Sequence, residues 1–389
     1  TTLDQGATPA FNWDSGFPQN YPKPPFIDPT AANGQDVRVI GRNDARAPYF
    51  QNWSFTVQRE FKSRMTLEMA YLGAKGTRLG SALMHINEVN PANLALGSLL
   101  SQQIGSAAAN AAGIYAPYSG FKGSVAQSLR PYPQYLDLYN RSNPSGNSTY
   151  NSLQTQFNIR AAKGLDVQAS YTWAKTITDS NVLAGGGISG QTYYNRSLEK
   201  AIADTDIPQI LAIAYSYELP VGPGKLLNVR GPAGHVLGGW ILTGIQQYSV
   251  GAPIVLTANN TLPLFTQVLR PNVVAGQVRQ LGGGSFDPAV DKWINPAAFA
   301  VAPALQFGNS ARSYTDLRAP NFLNENFGLM KQVKIWEKVT LTLRGEFFNA
   351  FNRVVFSAPQ ANVSNAAFGK ISAQSNNPRQ GQVAVRLEF

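Results

Sequence analysis

Gln51-Asn52-Trp53-Ser54-Phe55-Thr56-Val57-Gln58-Arg59-Glu60 is the stretch that decides the fold. Trp53, Phe55 and Val57 fall on one side of an extended chain, and Asn52, Ser54, Thr56 and Gln58 on the other. This alternation has the period of a β-strand, in which successive side chains point to opposite faces. After the link Phe61-Lys62-Ser63-Arg64 the pattern returns, with Leu67, Met69 and Tyr71 opposed to Thr66, Glu68 and Ala70. Two such runs across a short link predict an antiparallel hairpin.

Working outward, the unit recurs. Leu153, Phe157 and Ile159 alternate with Gln154, Gln156 and Asn158, and a turn at Ala162-Lys163-Gly164 leads into Val167, Ala169, Tyr171 and Trp173. A third unit carries Leu211, Ile213, Tyr215, Tyr217 and Leu219, crosses a Pro/Gly-rich link from Pro220 to Gly239, and resumes over Trp240–Ser249. In that last strand Ile241 and Ile245 compete with Trp240 and Leu242 for the apolar face. The final unit sets Phe327, Leu329 and Val333 against Val339, Leu341, Leu343 and Phe347 across Trp336-Glu337-Lys338. A lone strand ends the chain, with Val383, Val385, Leu387 and Phe389 alternating with Gln382, Ala384, Arg386 and Glu388.

Between these hairpins run long segments, from Ala74 to Asn147, Thr176 to Pro208, Gly251 to Pro320 and Asn349 to Arg379, rich in Gly, Ser, Asn, Pro and Ala. Loops of that length are uncommon inside a compact soluble domain. Short turns alternating with long loops are the pattern of a membrane barrel, whose periplasmic turns are short and whose extracellular loops are long. Trp53, Tyr71, Tyr171, Trp173, Tyr215, Tyr217 and Phe347 sit on the apolar faces, as interfacial aromatic girdles require. The expected fold is therefore all-β: an antiparallel transmembrane β-barrel segment of about nine or ten strands. Residues 1–50, with Pro18, Pro22, Pro24, Pro25 and Pro29, read as an extracellular loop region, and 51–389 as the C-terminal part of the barrel.

Single-chain bacterial barrels have an even number of strands, and an open edge in hydrocarbon leaves backbone groups unpaired at several kcal/mol each. An odd count of about nine implies earlier strands outside this sequence. The alternative is an extra strand from Ile254–Thr257 or Gln267–Val274 that closes a small barrel.

Composition agrees with a barrel. Of 389 residues 43% are hydrophobic and only 14% charged, with no cysteine to supply a disulfide, zinc-finger ligand or thiol nucleophile. No stretch approaches the roughly 20 apolar residues of a membrane-spanning helix, whereas a barrel strand needs only about 9–11. Thr1-Thr2-Leu3-Asp4 opens the chain without a basic or apolar segment, so a signal peptide is expected to have been removed or to lie upstream. The net charge of +10 is spread over single Lys and Arg residues rather than one basic patch, which argues against nucleic acid as a partner.

Several segments, in order, resemble recurrent pieces of Oar-like TonB-dependent receptor barrels. They are Tyr71-Leu72-Gly73-Ala74-Lys75-Gly76-Thr77-Arg78-Leu79, Tyr171-Thr172-Trp173-Ala174-Lys175-Thr176, Tyr217-Glu218-Leu219-Pro220 and Arg270-Pro271-Asn272. Asn295-Pro296-Ala297-Ala298-Phe299, Arg344–Asn352, Phe368-Gly369-Lys370-Ile371 and Pro378-Arg379-Gln380 continue the series. Together they span nearly the whole chain. Family members often carry a His where Asp206-Ile207-Pro208 is here followed by Gln209. The resemblance implies a receptor or transporter of the cell outer membrane for an unidentified ligand, with a plug, a TonB box and TonB complex as partners beyond this sequence. It also implies contact with outer-membrane lipid and lipopolysaccharide. Val383, Val385, Leu387 and the terminal Phe389 resemble the signal read by the barrel assembly machinery.

No enzyme chemistry is expected. His85 and His235 stand alone in loops, no Gly-x-Ser-x-Gly elbow occurs, and Gly185–Gly190 lacks the helix and the Lys-Ser or Lys-Thr of a phosphate cradle. Asp204 with Asp206, and Asp287 with Asp291, lack an EF-hand pattern, so no metal or cofactor is expected. Glu68, Glu218, Arg344, Glu346, Arg386 and Glu388 fall on the polar faces as a hydrated lumen lining. The rival reading is a soluble or surface β-rich adhesion or carbohydrate-binding module, whose apolar faces would pack on a second sheet.

Overall fold

The computed structural model describes residues 14, 30, 32–42, 44, 46–61, 64–80, 84–140, 143–162, 164–180, 190–266, 268–336 and 339–389. Most of the expected N-terminal loop region, parts of three short links and most of the Gly185–Gly190 run lie outside them. Nine long strands form the wall: β1 (Tyr49–Phe61), β2 (Met65–Leu79), β3 (Gly146–Ala162), β4 (Leu165–Thr178), β5 (Gln209–Glu218), β6 (Trp240–Ser249), β7 (Phe322–Trp336), β8 (Val339–Phe348) and β9 (Gln380–Glu388). Each pairs antiparallel with its neighbours in sequence, in the unbroken order β1 to β9, and Ala201–Ile202 adds a short tenth strand beside β4. Among the described residues β1 and β9 do not pair with each other, so the sheet is open.

The register carries one face across all nine strands. Phe55 stands opposite Tyr71, Tyr71 opposite Leu153 and Leu153 opposite Trp173. Tyr171 stands opposite Leu211, Leu211 opposite Tyr248 and Tyr248 opposite Leu323. Phe327 faces Phe347, and Leu343 faces Val385. This apolar face is left open: Phe55, Trp173 and Phe347 are exposed, and among the described residues no second sheet covers it. A soluble sandwich buries such a face, whereas a membrane wall presents it to lipid.

Register also settles the face of β6. Leu242, opposite Tyr217, and Gly244, opposite Tyr215, point outward with Gln246 and Tyr248, so Ile241 and Ile245 fall on the inner face. Aromatic rings lie over glycines on the outward face. A Cβ on Gly73 would come within 2.2 Å of the Trp53 ring, and one on Gly244 within 2.5 Å of the Tyr215 ring. Glycine at those two positions lets a large ring cross a neighbouring strand, which helps fix the register.

Two outward-facing charges are neutralised locally, as apolar surroundings demand. Lys331 reaches toward the turn side, donating to the carbonyls of His235 (2.5 Å) and Val236 (2.7 Å) at the end of the helix Gly231–Leu237, above the Trp240 ring. Glu325, fully buried at the loop-side end of β7, accepts from Arg353 Nε at 2.8 Å on both carboxylate oxygens.

All four long connections emerge on one side of the wall and pack there into a cap. Val89, Leu100 and Val125 of the β2–β3 connection meet Leu262, Leu264 and Leu269 of the β6–β7 connection, with Val363 of the β8–β9 connection against them. A second core joins Ile254, Leu256, Trp293, Ile294 and Leu317 to Phe368 and Ile371. Each buried Leu or Ile contributes roughly 1.5–3 kcal/mol. The two segments considered as an extra strand belong to this cap: Asn272–Val273 pairs with Phe299–Ala300, and Thr257 makes only an isolated bridge to Asn362. Neither joins the wall.

Buried polar groups tie the cap together. Asp206 Oδ1 accepts from the Thr176 backbone N–H (2.6 Å), while Oδ2 pairs with Arg318 (2.8 Å). Arg318 also donates to the carbonyls of Asp206 and Gly251, which joins the β4–β5 and β6–β7 connections. Arg270 does the same by pairing with Glu199 and donating to the Leu198 carbonyl. Glu88, in the β2–β3 connection, accepts from the Thr192 hydroxyl (3.0 Å) and the Tyr193 N–H (2.8 Å). Burial pushes its carboxyl from an ordinary 4.5 up to about 7, against the opposing pull of those two donors.

Two outcomes follow for the cap. Because the folded chain holds the Glu88 proton more tightly than the unfolded chain, packing at Glu88 is most stable below pH 4.5 and weakens as pH rises to about 7. Glu88→Gln should remove that dependence and protect the β2–β3 connection from proteolysis at pH 8, by up to about 3 kcal/mol. A proteolysis rate at pH 8 equal to that of the wild type would contradict it. Asp206→Asn strands Arg318 in a buried site and should cost the cap about 3–5 kcal/mol. The expected readout is cleavage within 252–320 at a lower temperature, with the strand signal in circular dichroism retained.

Candidate functional site: the lumen and its cap

The inner face is largely polar because most of the alternate residues that the wall turns to it are polar, with Ile241 and Ile245 among the exceptions. Its concave side encloses about 620 Å³ lined by Gln156, Asn158 and Arg160 of β3, Asp166 and Gln168 of β4, Ser216 of β5, Thr243 and Ile245 of β6, Asn326 of β7 and Arg344, Glu346 and Phe348 of β8. Four amides, Gln156, Asn158, Gln168 and Asn326, share this lining with charged and hydroxyl side chains, and each amide offers both donors and acceptors. Arg344 pairs with Glu346 along β8, and Gln382 of β9 donates to the same carboxylate. Arg386 pairs with Glu388 at 2.7 Å and Glu218 with Lys225 at 2.8 Å. The charges expected to line the lumen thus lie on that face, largely as exposed pairs that fix little energy but set a polar, wettable surface.

The family-like segments meet at structural joints of the cap and rim. The backbone N–H of Arg270 donates to Gln191 Oε1 (2.8 Å). Asn272 and Asn309 exchange reciprocal hydrogen bonds, each side-chain oxygen accepting near the other's backbone: Asn309 N–H to Asn272 Oδ1 (2.9 Å) and Val273 N–H to Asn309 Oδ1 (2.8 Å). Asn295 caps the short helix Pro296–Ala298, which delivers Phe299 to the second core against Phe368. Gly369, at φ +81°, lies so close to the Ile294 carbonyl that a Cβ would come within 2.5 Å. After β8, Asn349 and Asn352 adopt positive φ, turning the chain so that Phe351 packs edge-on to Phe327 and Arg353 reaches Glu325.

The residues singled out at the C-terminus lie together on β9. Val383, Val385 and Leu387 project outward in register with Gly345, Leu343 and Leu341, and Phe389 is 95% exposed beyond the strand. His85 differs from the solvated loop residue expected. It is buried, its Nδ1 lies 2.6 Å from Asp137 Oδ2, and its ring meets Tyr139 edge-on. Burial alone would raise the Asp137 carboxyl, but His85, the Leu138 N–H and Arg130 hold it below the usual range. His235 lies in the last turn of the turn-side helix Gly231–Leu237. Asp287 and Asp291 form a local turn, Asp287 N–H donating to Asp291 Oδ2 at 2.9 Å. Among the described residues no group of three His, Cys, Asp or Glu is placed to hold a metal ion.

Sequence reasoning missed the buried charges Glu88, Glu199, Arg312 and Glu325, all of which are fully or nearly buried. Most of their partners lie far along the chain, so no local spacing marks them. Arg312, for example, donates to the carbonyls of Thr178 and Ile202.

Several solved structures are similar to the chain at low identity. The outer membrane transporter YddB of Escherichia coli is 9% identical over 92% of this chain and 34% of its own, with a TM-score of 0.45. The ferripyoverdine receptor of the outer membrane of Pseudomonas aeruginosa is 12% identical over 88% of this chain and 27% of its own, at 0.39. The siderophore receptor PiuA of Acinetobacter baumannii is 10% identical over 87% of this chain and 28% of its own, at 0.36. The chain therefore spans about a third or less of the length of these proteins. No curated protein sequence matches it. The model of the outer membrane beta barrel domain matches residues 1–382, nearly the whole chain, and with its lipid-ready outer face and polar inner face the chain belongs to that family of the outer membrane.

Proposed function

We propose that the chain forms part of the wall and the extracellular cap of an Oar-like, TonB-dependent receptor that captures a ligand from outside the cell. One observation carries this reading. The ordered segments that resemble such receptors, among them Arg270-Pro271-Asn272, Asn295–Phe299 and Phe368–Ile371, are the joints that hold the long connections in one body. Building a cap of that size on one side of a wall serves recognition, since loops positioned by a rigid scaffold are where binding residues concentrate.

In this proposal the polar lumen receives a plug, and TonB supplies the energy that moves it. The strand Val383, Val385, Leu387 and terminal Phe389 serves the barrel assembly machinery. Residues 1–50 belong to the extracellular side and 51–389 to the barrel, and the chain carries out no catalysis and needs no cofactor.

The test uses the complete polypeptide as extracted from outer membranes and the purified C-terminal domain of TonB. Saturable binding of that domain is expected, and it should be abolished by trimming the polypeptide N-terminal to this chain. Absence of binding by the intact polypeptide would overturn the TonB-dependent reading while leaving the barrel family untouched. A second measurement addresses assembly: Phe389→Ala should lower the yield of the heat-modifiable, folded form in outer membranes several-fold. Unchanged yield would remove Phe389 from the assembly role.

A further inference from the structure

One turn-side link of the wall is unlike the others. Three of them join Phe61 to Met65, Ala162 to Leu165 and Trp336 to Val339, whereas β5 and β6 are joined by the whole of 219–239. Periplasmic turns of a barrel are short, so the extra length here calls for a role.

The helix Gly231–Leu237 of this connection is held on the lipid side of the wall. Trp240 and Lys331 stand opposite each other and continue the outward row of Leu242 and Leu329. Both grip the end of the helix. Trp240 Nε1 donates to the Val236 carbonyl at 3.0 Å, and Lys331 donates to the carbonyls of His235 and Val236. Val333, exposed in the same row, carries the apolar face further toward the turn side, past the first residue of β6. A Trp and a Lys at the end of an apolar row mark the level of the membrane–water interface.

The helix meets the protein through glycine. A Cβ on Gly234 would come within 2.2 Å of the Val229 carbonyl oxygen, and one on Gly238 within 3.1 Å of Gly222 Cα. Turned away from that contact are Ala233, Val236 and Leu237, spaced i, i+3 and i+4; all three are exposed, Val236 at 66% and Leu237 at 53%. Residues 219–239 contain no Asp or Glu. Lys225 is taken up by Glu218, and Arg230, at the start of the helix, is exposed. An apolar helix face beside a cation, with no acid near it in the chain, matches a surface of phosphate headgroups over acyl chains.

We propose that the β5–β6 connection is an interfacial foot: the helix Gly231–Leu237 lies in the periplasmic surface of the outer membrane, with Ala233, Val236 and Leu237 at the boundary of headgroups and acyl chains and Arg230 among the phosphates. Lipid is the occupant because the two side chains that grip the helix belong to the row that the wall presents to lipid. Only the wall and its membrane are required, so failure of TonB binding leaves the foot untouched.

The chain has no cysteine, so single cysteines can carry a nitroxide. The test takes the complete polypeptide, any cysteine outside this chain replaced by serine, in vesicles of phosphatidylethanolamine and phosphatidylglycerol. Labels are placed by Val236→Cys in the foot, Val385→Cys on the outward wall and Val290→Cys on the cap, and their collision rates with oxygen and with a water-soluble nickel chelate are read by spin resonance. The label at position 236 should favour oxygen, as at 385, and meet the chelate several-fold less often than at 290. Adding Leu237→Asp should raise chelate collisions at 236 several-fold, with heat-modifiable mobility showing that the barrel is still folded. Chelate access at 236 equal to that at 290, or no response to Leu237→Asp in the folded protein, would overturn the proposal. A label at 236 shielded from both reagents would overturn it as well, because protein would then cover the helix.

Discussion

Every backbone N–H and C=O that lies in hydrocarbon has to find a partner within the protein, and this requirement governs the whole molecule. Nine strands meet it between neighbours by pairing in chain order, each with the next, so that the ladder is continuous from β1 to β9 and only the outer edges of β1 and β9 are left without a strand partner among the described residues. Once the ladder is fixed, the faces are fixed too. A slip of one residue would turn Trp53, Tyr71, Leu153 and Trp173 into the lumen and neighbours such as Asn52, Gln154 and Thr172 into lipid. The polar lumen is therefore a by-product of the lipid-facing wall, and the large rings laid over Gly73 and Gly244 help hold the register that creates both.

The cap obeys a different physics. Water surrounds it, so ordinary hydrophobic burial operates, and its two cores contain the most deeply buried aliphatic side chains among the described residues, Leu100, Leu256, Leu264 and Ile294 included. Long connections also carry backbone groups that no ladder satisfies. Side chains satisfy them instead. Arg318 and Arg270 each donate to carbonyls while pairing with a carboxylate, and Asn272, Asn295 and Asn349 hold turns through their amides. The wall supplies position and the cap supplies a shaped surface.

The wall could be read from the sequence because its period is local. Alternation in Gln51–Glu60, Leu153–Ile159 and Val383–Phe389 is visible within a few residues, and the short links place the hairpins. One strand resisted, Trp240–Ser249, because apolar residues occupy both faces; only pairing with Tyr215 and Tyr217 assigns Leu242 and Gly244 outward. The cap was opaque. Val89 meets Leu269, and Leu256 shares a core with Phe368, through contacts between connections far apart in sequence that leave no periodic trace. His85 illustrates the same limit, since its partner Asp137 lies at the opposite end of its own connection. The family-like segments contain residues that join loops, such as Arg270 with Gln191, a role that no local spacing marks.

The way Arg318 spans Asp206 and Gly251 carries a consequence for the order of events during folding. A hairpin such as β1–β2 closes over a few residues, whereas the cores bring together side chains from the β2–β3, β6–β7 and β8–β9 connections. Loop-closure entropy makes such distant contacts unfavourable until the intervening strands already stand side by side. By this argument the packing of the cap follows the pairing of the strands. A wall in which any one of these hairpins is misaligned leaves its loops unpacked, their Leu and Ile side chains open to water and to proteases. The packing of the cap is thereby tied to the alignment of the wall beneath it.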